Sequence, residues 1–164
     1  MKYSKVKFLT FFAIICSVGL APINDASAAE NTVIATVPVG TNPEGMAFDS
    51  ANNRMYVANQ DDDTVSVINT TTNAVDATIS VGTNPDGIAF DSANNRMYVA
   101  NAVANTVSVI NTATNAVDAT ISVGDGPRAI AFDSANNRMY VPNYSDDTVS
   151  VINTATNAVD ATIS

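Results

Sequence analysis

Apolar residues recur along most of this chain with a period of two rather than 3.6, which predicts strands and not helices. One stretch shows the whole pattern. Gly45-Met46-Ala47-Phe48 is a short apolar run, strand a, followed by the turn cluster Asp49-Ser50-Ala51-Asn52-Asn53. Arg54-Met55-Tyr56-Val57-Ala58-Asn59 reads as strand b, and Gln60-Asp61-Asp62-Asp63 as a polar loop. Thr64-Val65-Ser66-Val67-Ile68-Asn69 reads as strand c, and Thr70-Thr71-Thr72-Asn73 as a second turn. Ala74 to Val81 is strand d, with Val75, Ala77, Ile79 and Val81 on one face and Asp76, Thr78 and Ser80 on the other. Strand a lacks polar alternation, as expected of an inner strand covered on both sides, whereas strand d alternates like an outer strand with one wet face.

The same sentence is written three times. Gly40, Gly82 and Gly124 mark the period, since 82 − 40 = 42 and 124 − 82 = 42. The copies are residues 39–80, 81–122 and 123–164. A period near 40–45 with four short strands per unit is the mark of a β-propeller blade. The expected fold is therefore all-β: three four-stranded blades plus one leading outer strand at residues 29–38. That strand is inferred because Asn31 to Val37 aligns with Asn73 to Ile79. Propellers close with about 4–8 blades, so three form an incomplete ring. Three readings follow: a segment of a longer propeller, a ring completed by self-association, or an open arc capped in another way.

Composition changes this picture at the N-terminus. Lys2, Lys5 and Lys7 precede the apolar run Phe8 to Leu20 and the small-residue site Ala26-Ser27-Ala28. Residues 1–28 read as a secretory signal peptide, too short in its apolar run for the roughly 20 residues of a spanning helix. No membrane span is expected after cleavage. The one cysteine, Cys16, lies inside that segment, so the exported chain has no disulfide. Cleavage also removes every lysine, leaving Arg54, Arg96, Arg128 and Arg138 against a large excess of Asp. Such a surface repels phosphate backbones, so nucleic acid is not an expected partner.

The blocks Arg-Met-Tyr-Val-Ala-Asn, Thr-Val-Ser-Val-Ile-Asn and the closing Thr-Ile-Ser-Val-Gly resemble the YVTN family of β-propeller repeats. The family tetrad stands here as Tyr56-Val57-Ala58-Asn59, Tyr98-Val99-Ala100-Asn101 and Tyr140-Val141-Pro142-Asn143, with its Thr replaced each time. The resemblance covers residues 31–164. It implies a propeller in an archaeal surface-layer or bacterial extracytoplasmic protein. It leaves function open, since such members include surface-layer components, adhesins and periplasmic binding proteins, and related propellers support redox enzymes.

Beyond residue 28 the chain holds no His, Cys, Lys or Trp. The usual general base, thiol and amine nucleophiles and imidazole ligand are missing, so no catalytic residue and no cofactor are expected. The three copies differ mainly in two loops. One is d–a: Thr41 to Met46, Thr83 to Ile88 and Asp125 to Ile130. The other is b–c: Gln60 to Asp63, Ala102 to Asn105 and Tyr144 to Asp147. In an antiparallel meander both loops emerge on one face of the propeller, where repeat proteins commonly carry function. Free drift of loops without structural duties is the plainer reading.

Glu44, Asp86 and Arg128 hold equivalent positions at the entry to the inner strands and should rim the channel mouth. Arg128 suits an ion pair with a neighbouring blade, or an anionic or polar ligand. Asp61, Asp62, Asp63, Tyr144, Asp146 and Asp147 are interaction-loop candidates. The Asp61–Asp63 run is also a weak calcium candidate without the twelve-residue loop spacing. Arg54, Arg96 and Arg138 each follow an Asp by five residues, which suggests ion pairs with Asp49, Asp91 and Asp133 across the a–b hairpin. Tyr56, Tyr98 and Tyr140 are expected to pack between blades with a tethered hydroxyl. Asn69-Thr70-Thr71 and Asn143-Tyr144-Ser145 match the glycosylation sequon. The expected role is an exported non-catalytic module binding other proteins or cell-surface components. The alternatives are a ligand-binding propeller using the channel mouth, and a fragment of a propeller oxidoreductase whose catalytic blades are missing.

Overall fold

A computed structural model describes residues 32–164. Every repeat folds into a four-stranded antiparallel meander. The first blade holds β1 (Pro43–Asp49), β2 (Arg54–Asn59), β3 (Thr64–Asn69) and β4 (Ala74–Ser80). The second holds β5 (Pro85–Asp91), β6 (Arg96–Asn101), β7 (Thr106–Asn111) and β8 (Ala116–Ser122). The third holds β9 (Ala131–Asp133), β10 (Arg138–Asn143), β11 (Thr148–Asn153) and β12 (Ala158–Ile163). The architecture is the expected one of all-β propeller blades. Residues 32–39 carry no strand, contrary to the expected leading outer strand. Each blade already has its own fourth strand, so no three-stranded sheet awaits one. Residues 29–31 and the expected signal peptide lie outside the described residues.

The turns explain why the chain is so rich in Asn. Four positions per blade adopt a left-handed backbone: Asn42, Asn53, Asp63 and Asn73 in the first; Asn84, Asn95, Asn105 and Asn115 in the second; Gly126, Asn137, Asp147 and Asn157 in the third. Asn, Asp and Gly tolerate that geometry best. Each a–b turn is further closed by its leading Asp. Asp49 accepts from the Ala51 and Asn52 amides at 2.9 and 3.2 Å and from Asn52 Nδ2 at 2.8 Å. That duty occupies the carboxylate expected to pair with Arg54. The arginines instead reach the fourth strand: Arg54 meets Asp76 at 3.5 Å, Arg96 meets Asp118 at 3.6 Å, and Arg138 meets Asp160.

Strand d departs from simple alternation for a related reason. Ile68 pairs with Val75 but Val67 pairs with Ala77, so Asp76 is an extra residue in β4. A one-residue bulge sends the residues on its two sides to opposite faces. Val75 therefore does not share a face with Ala77, Ile79 and Val81, and it is left 37% exposed. The same shift recurs in β8 and β12.

No blade buries its own faces; the neighbours do it. In the first seam Tyr56, Val65, Val67 and Ile79 from one blade pack on Ile88, Met97, Val99 and Ile110 from the next. In the second seam Tyr98, Val107, Val109 and Ile121 pack on Met139, Val141 and Ile152. We call the tyrosine-bearing side of a blade its forward face and the methionine-bearing side its back face. Polar bonds fix the register of each seam. The Tyr56 hydroxyl donates to Asn115 Oδ1 at 2.9 Å, and the Tyr98 hydroxyl to Asn157 Oδ1 at 2.7 Å. Tyr140, at the same place in the third blade, is 36% exposed. Strand a likewise falls short of full burial at the first blade, where Met46 and Phe48 are 59% and 44% exposed.

The inner strands touch through backbone at two glycines. A Cβ on Gly45 would overlap the carbonyl of Asp86, and one on Gly87 would sit 2.5 Å from the Arg128 carbonyl and 2.7 Å from Ala129 Cα. Gly87 N donates to that same carbonyl at 2.7 Å. A side chain would force the strands apart. The third blade has Ala129 at the equivalent position, and its inner strand is cut to three residues, with Pro127 and Asn143 joined only by an isolated bridge.

Two predictions follow from the seams. Gly87→Ala separates two inner strands whose backbones touch and lowers stability by about 1–3 kcal/mol, read from the urea midpoint. The fully buried phenols of Tyr56 and Tyr98 are pushed up to about 12, chiefly by burial and next by Asp49 and Asp91 respectively. Folding thus favours their neutral form. That stability is fully present below pH 10, the ordinary phenol value, and is lost as the pH rises through about 12. An ultraviolet titration of folded protein should show two tyrosines ionising only near pH 12.

Candidate functional site

The d–a and b–c loops meet at one end of each blade, as the meander requires. Gln60 N donates to Asn42 O at 2.9 Å, Ala102 N to Asn84 O at 2.8 Å, and Tyr144 N to Gly126 O at 3.0 Å. The a–b and c–d turns meet at the other end, where Thr70 N donates to Asn53 O at 3.1 Å. The two loops that vary between copies are therefore pinned side by side. Their side chains extend the pinning to the next blade. Asp63 Oδ1 accepts from Asn84 N at 2.8 Å, and Asn105 Oδ1 from Gly126 N at 3.0 Å.

This accounts for most of the acidic candidates. Asp62 Oδ2 accepts from Thr41 N, and Asp146 Oδ2 from Asp125 N, both at 2.7 Å. Asp61 lies with Asp62 in a single 3-10 turn, Gln60–Asp62, and Asp63 and Asp147 take left-handed backbone. Asp62 and Asp63 thus serve amides of two different loops. The Asp61–Asp63 run does not assemble as a calcium site, and among the described residues no three His, Cys, Asp or Glu side chains form a ligand set.

Glu44 and Asp86 lie near the start of β1 and β5, and Arg128 precedes β9. Asp86 is half-buried, and its carboxyl is pushed above the usual range, first by burial and then by Glu44, while Arg128 pulls it back. Asp86 therefore lies within electrostatic reach of the other two expected rim residues. Among the described residues Arg128 makes no ion pair; its guanidinium stacks 4.8 Å from the centre of the Tyr144 ring. That contact joins the d–a and b–c loops of the third blade. Tyr144 remains 70% exposed, and Val103 in the second blade 66%. A cation over an aromatic face is stabilised by roughly 0.5–1 kcal/mol at such a site.

The two sequons divide. Asn69 Oδ1 accepts from the Thr71 and Thr72 amides at 3.0 and 3.3 Å at the protein surface. Asn143 is buried at 1% exposure, with Nδ2 donating to Thr148 and Ser150 hydroxyls at 2.9 Å, so its amide is not available to a glycosyl donor. Asn59 and Asn101 do the same work in the other blades, bracing strand b against strand c. The sequence reading missed this brace, the Arg–Asp pairs to strand d and the Arg128–Tyr144 stack. The recurrence of Asn59 and Asp76 in every copy was the available signal for the first two.

The charge arrangement can be checked directly. Glu44→Gln should lower the Asp86 pKa and Arg128→Ala should raise it, read by carboxyl-carbon NMR titration. The raised Asp86 value means that its contribution favours folding below the ordinary carboxylate pKa and fades as the pH rises through the shifted one. Glu44→Gln narrows that window.

Among the described residues, no helix is long and apolar enough to cross a membrane. No curated protein matches the chain. Among solved structures, the hydrazine synthase of Kuenenia stuttgartiensis superposes with a TM-score of 0.70 at 22% identity, over 80% of this chain and 38% of that one. A protein of unknown function from Desulfotomaculum acetoxidans superposes with a TM-score of 0.63 at 23% identity, over 73% of this chain and 40% of that one. The chain spans less than half the length of both, and likeness at this identity speaks for the fold alone. The sequence profile of the YNCE-like beta-propeller family matches residues 10–133. With three meander blades and a match over most of its length, the chain belongs to the YNCE-like β-propeller family.

Proposed function

We propose that this chain is an exported, non-catalytic propeller module of the extracytoplasmic or surface-layer kind. It presents its paired d–a and b–c loops to another protein or to a cell-surface component. The observation that carries the reading is the concentration of sequence difference in two loops that the fold pins together at one end. The opposite turns are nearly invariant between copies. Exposed Tyr144 under Arg128 is a suitable contact, since an aromatic with a polar tip and an arginine are the side chains that most often anchor interfaces. Residues 29–164 lack the His, Cys and Lys on which covalent and acid–base chemistry usually rests.

A second reading keeps one observation in its favour. Asp86 responds to both Glu44 and Arg128, so the rim could hold a small polar ligand between opposite charges. Hydrazine synthase is by name an enzyme, but 22% identity over part of that chain lends no activity to this one.

The test is binding of the purified protein to envelope fractions of its own host. Binding should be saturable and should fall at least tenfold in an Arg128→Ala, Tyr144→Ser double variant, with an unchanged melting curve. An Ala113→Thr change in the opposite turn should leave it intact. Equal binding by all three proteins, or none by the unaltered chain, would remove the reading.

A further inference from the structure

The c–d turn is written alike in all three blades except at one position. Asn69-Thr70-Thr71-Thr72-Asn73 becomes Asn111-Thr112-Ala113-Thr114-Asn115 and Asn153-Thr154-Ala155-Thr156-Asn157, so that only Thr71 differs. The fold does not register the change. In each turn the leading asparagine accepts, through Oδ1, from the amide two residues on: Thr71, Ala113 and Ala155, all at 3.0 Å. In each, the fifth residue is left-handed and donates its amide back to the leading carbonyl, at 2.9 Å in the first blade and 2.8 Å in the other two. Thr71, Ala113 and Ala155 are all exposed. A turn that closes identically around alanine has no structural need of the Thr71 hydroxyl. That hydroxyl does complete an Asn-x-Thr sequon, which the other two turns lack.

The two sequons of the chain also differ in what their nitrogens have left to give. A side-chain amide nitrogen carries two hydrogens. Asn143 Nδ2 spends both, on the Thr148 and Ser150 hydroxyls, inside the blade. Asn69 Nδ2 spends one, on Asp76 Oδ2 at 3.3 Å, and the residue is only half-buried. This exposure does not depend on what stands beside the first blade. The middle blade has a neighbour on either side, and there Asn111 is still half-buried and Ala113 still exposed. Asn111 and Asn153 make the same bond to Asp118 and Asp160, each at 3.2 Å.

Given the export proposed for this chain, on which the next step rests, we infer that Asn69, and not Asn143, carries an N-linked glycan. The donor is a sugar activated as a lipid-linked phosphate. The bond from Asn69 Nδ2 to the sugar C1 forms, the bond from C1 to the phosphate oxygen breaks, and the displaced amide proton leaves with the phosphate. Oδ1 takes no part, so both of its turn bonds, to the Thr71 and Thr72 amides, survive. The glycan then stands at the a–b and c–d end of the first blade. A six-residue strand is about 20 Å long, which separates it by that much from the paired d–a and b–c loops. A bulky, solubilising group there covers the end where the copies agree and leaves the end where they differ open to a partner.

The experiment is mass spectrometry of the protein purified from its own host, as the intact chain and as mapped peptides. The expected result is added sugar mass on Asn69 and on no other asparagine. Thr71→Ala should lose that mass completely. It reproduces the turn that Ala113 and Ala155 already make, so it folds as the unaltered chain does. Thr71→Ser keeps the hydroxyl and should keep the sugar. A bare Asn69 in a chain that has lost residues 1–28 would overturn the inference and spare the export. A bare Asn69 in a chain that retains them would overturn both. Sugar on the buried Asn143, sugar that survives Thr71→Ala, or sugar lost equally in Thr71→Ser would each overturn the inference too.

Discussion

A propeller blade has two apolar faces and can bury neither alone. Everything else in this protein depends on how closely one blade can approach the next. The approach is set at the inner strands, where Gly45 and Gly87 let backbone meet backbone. Tyr56 and Tyr98 then fill the wider part of each seam and hand their hydroxyls to Asn115 and Asn157. The close approach and the hydroxyl bond act at different radii, so together they fix both spacing and register.

The same constraint explains the shape of the sequence. A repeat stacked on copies of itself sees nearly the same surroundings each time, and so keeps nearly the same residues. The a–b turns, far from the variable end, are closed by Asp49-type carboxylates, which leaves little room for change. The d–a and b–c loops are pinned mainly through backbone amides, and backbone bonds tolerate many side chains. Variation therefore collects at one end. Where variation enters the frame itself, as at Ala129 and Pro142, it does so on the forward face that no described residue covers.

Much of this was legible in the sequence. The period of two, the 42-residue repeat and the placement of turns gave the strands of every blade to within a residue or two. The seam role of the tyrosines was also readable, because one large amphipathic residue per blade at a fixed place has few other uses. What the sequence hid were choices between nearby partners. Arg54 has Asp49 at the other end of a hairpin and Asp76 on a strand two places away. Only the bulge at Asp76 and the turn duty of Asp49 decide for the latter. Asn143 matches the glycosylation sequon, and nothing in that match shows that the strand brace buries it. Arg128 looked like half of an ion pair, and finding it over Tyr144 required knowing that the two loops of one blade lie side by side. The unpaired strand expected at residues 29–38 had sequence likeness in its favour but no sheet to complete.

The central claim is that the blades are one cooperative body held at the inner seam. Native-state hydrogen exchange at the Gly87 amide tests it most directly, because that hydrogen is shared across the seam with Arg128. The account predicts that it exchanges only with global unfolding, as slowly as the amides in the centre of β6. Exchange much faster than β6, with each blade opening separately, would contradict it.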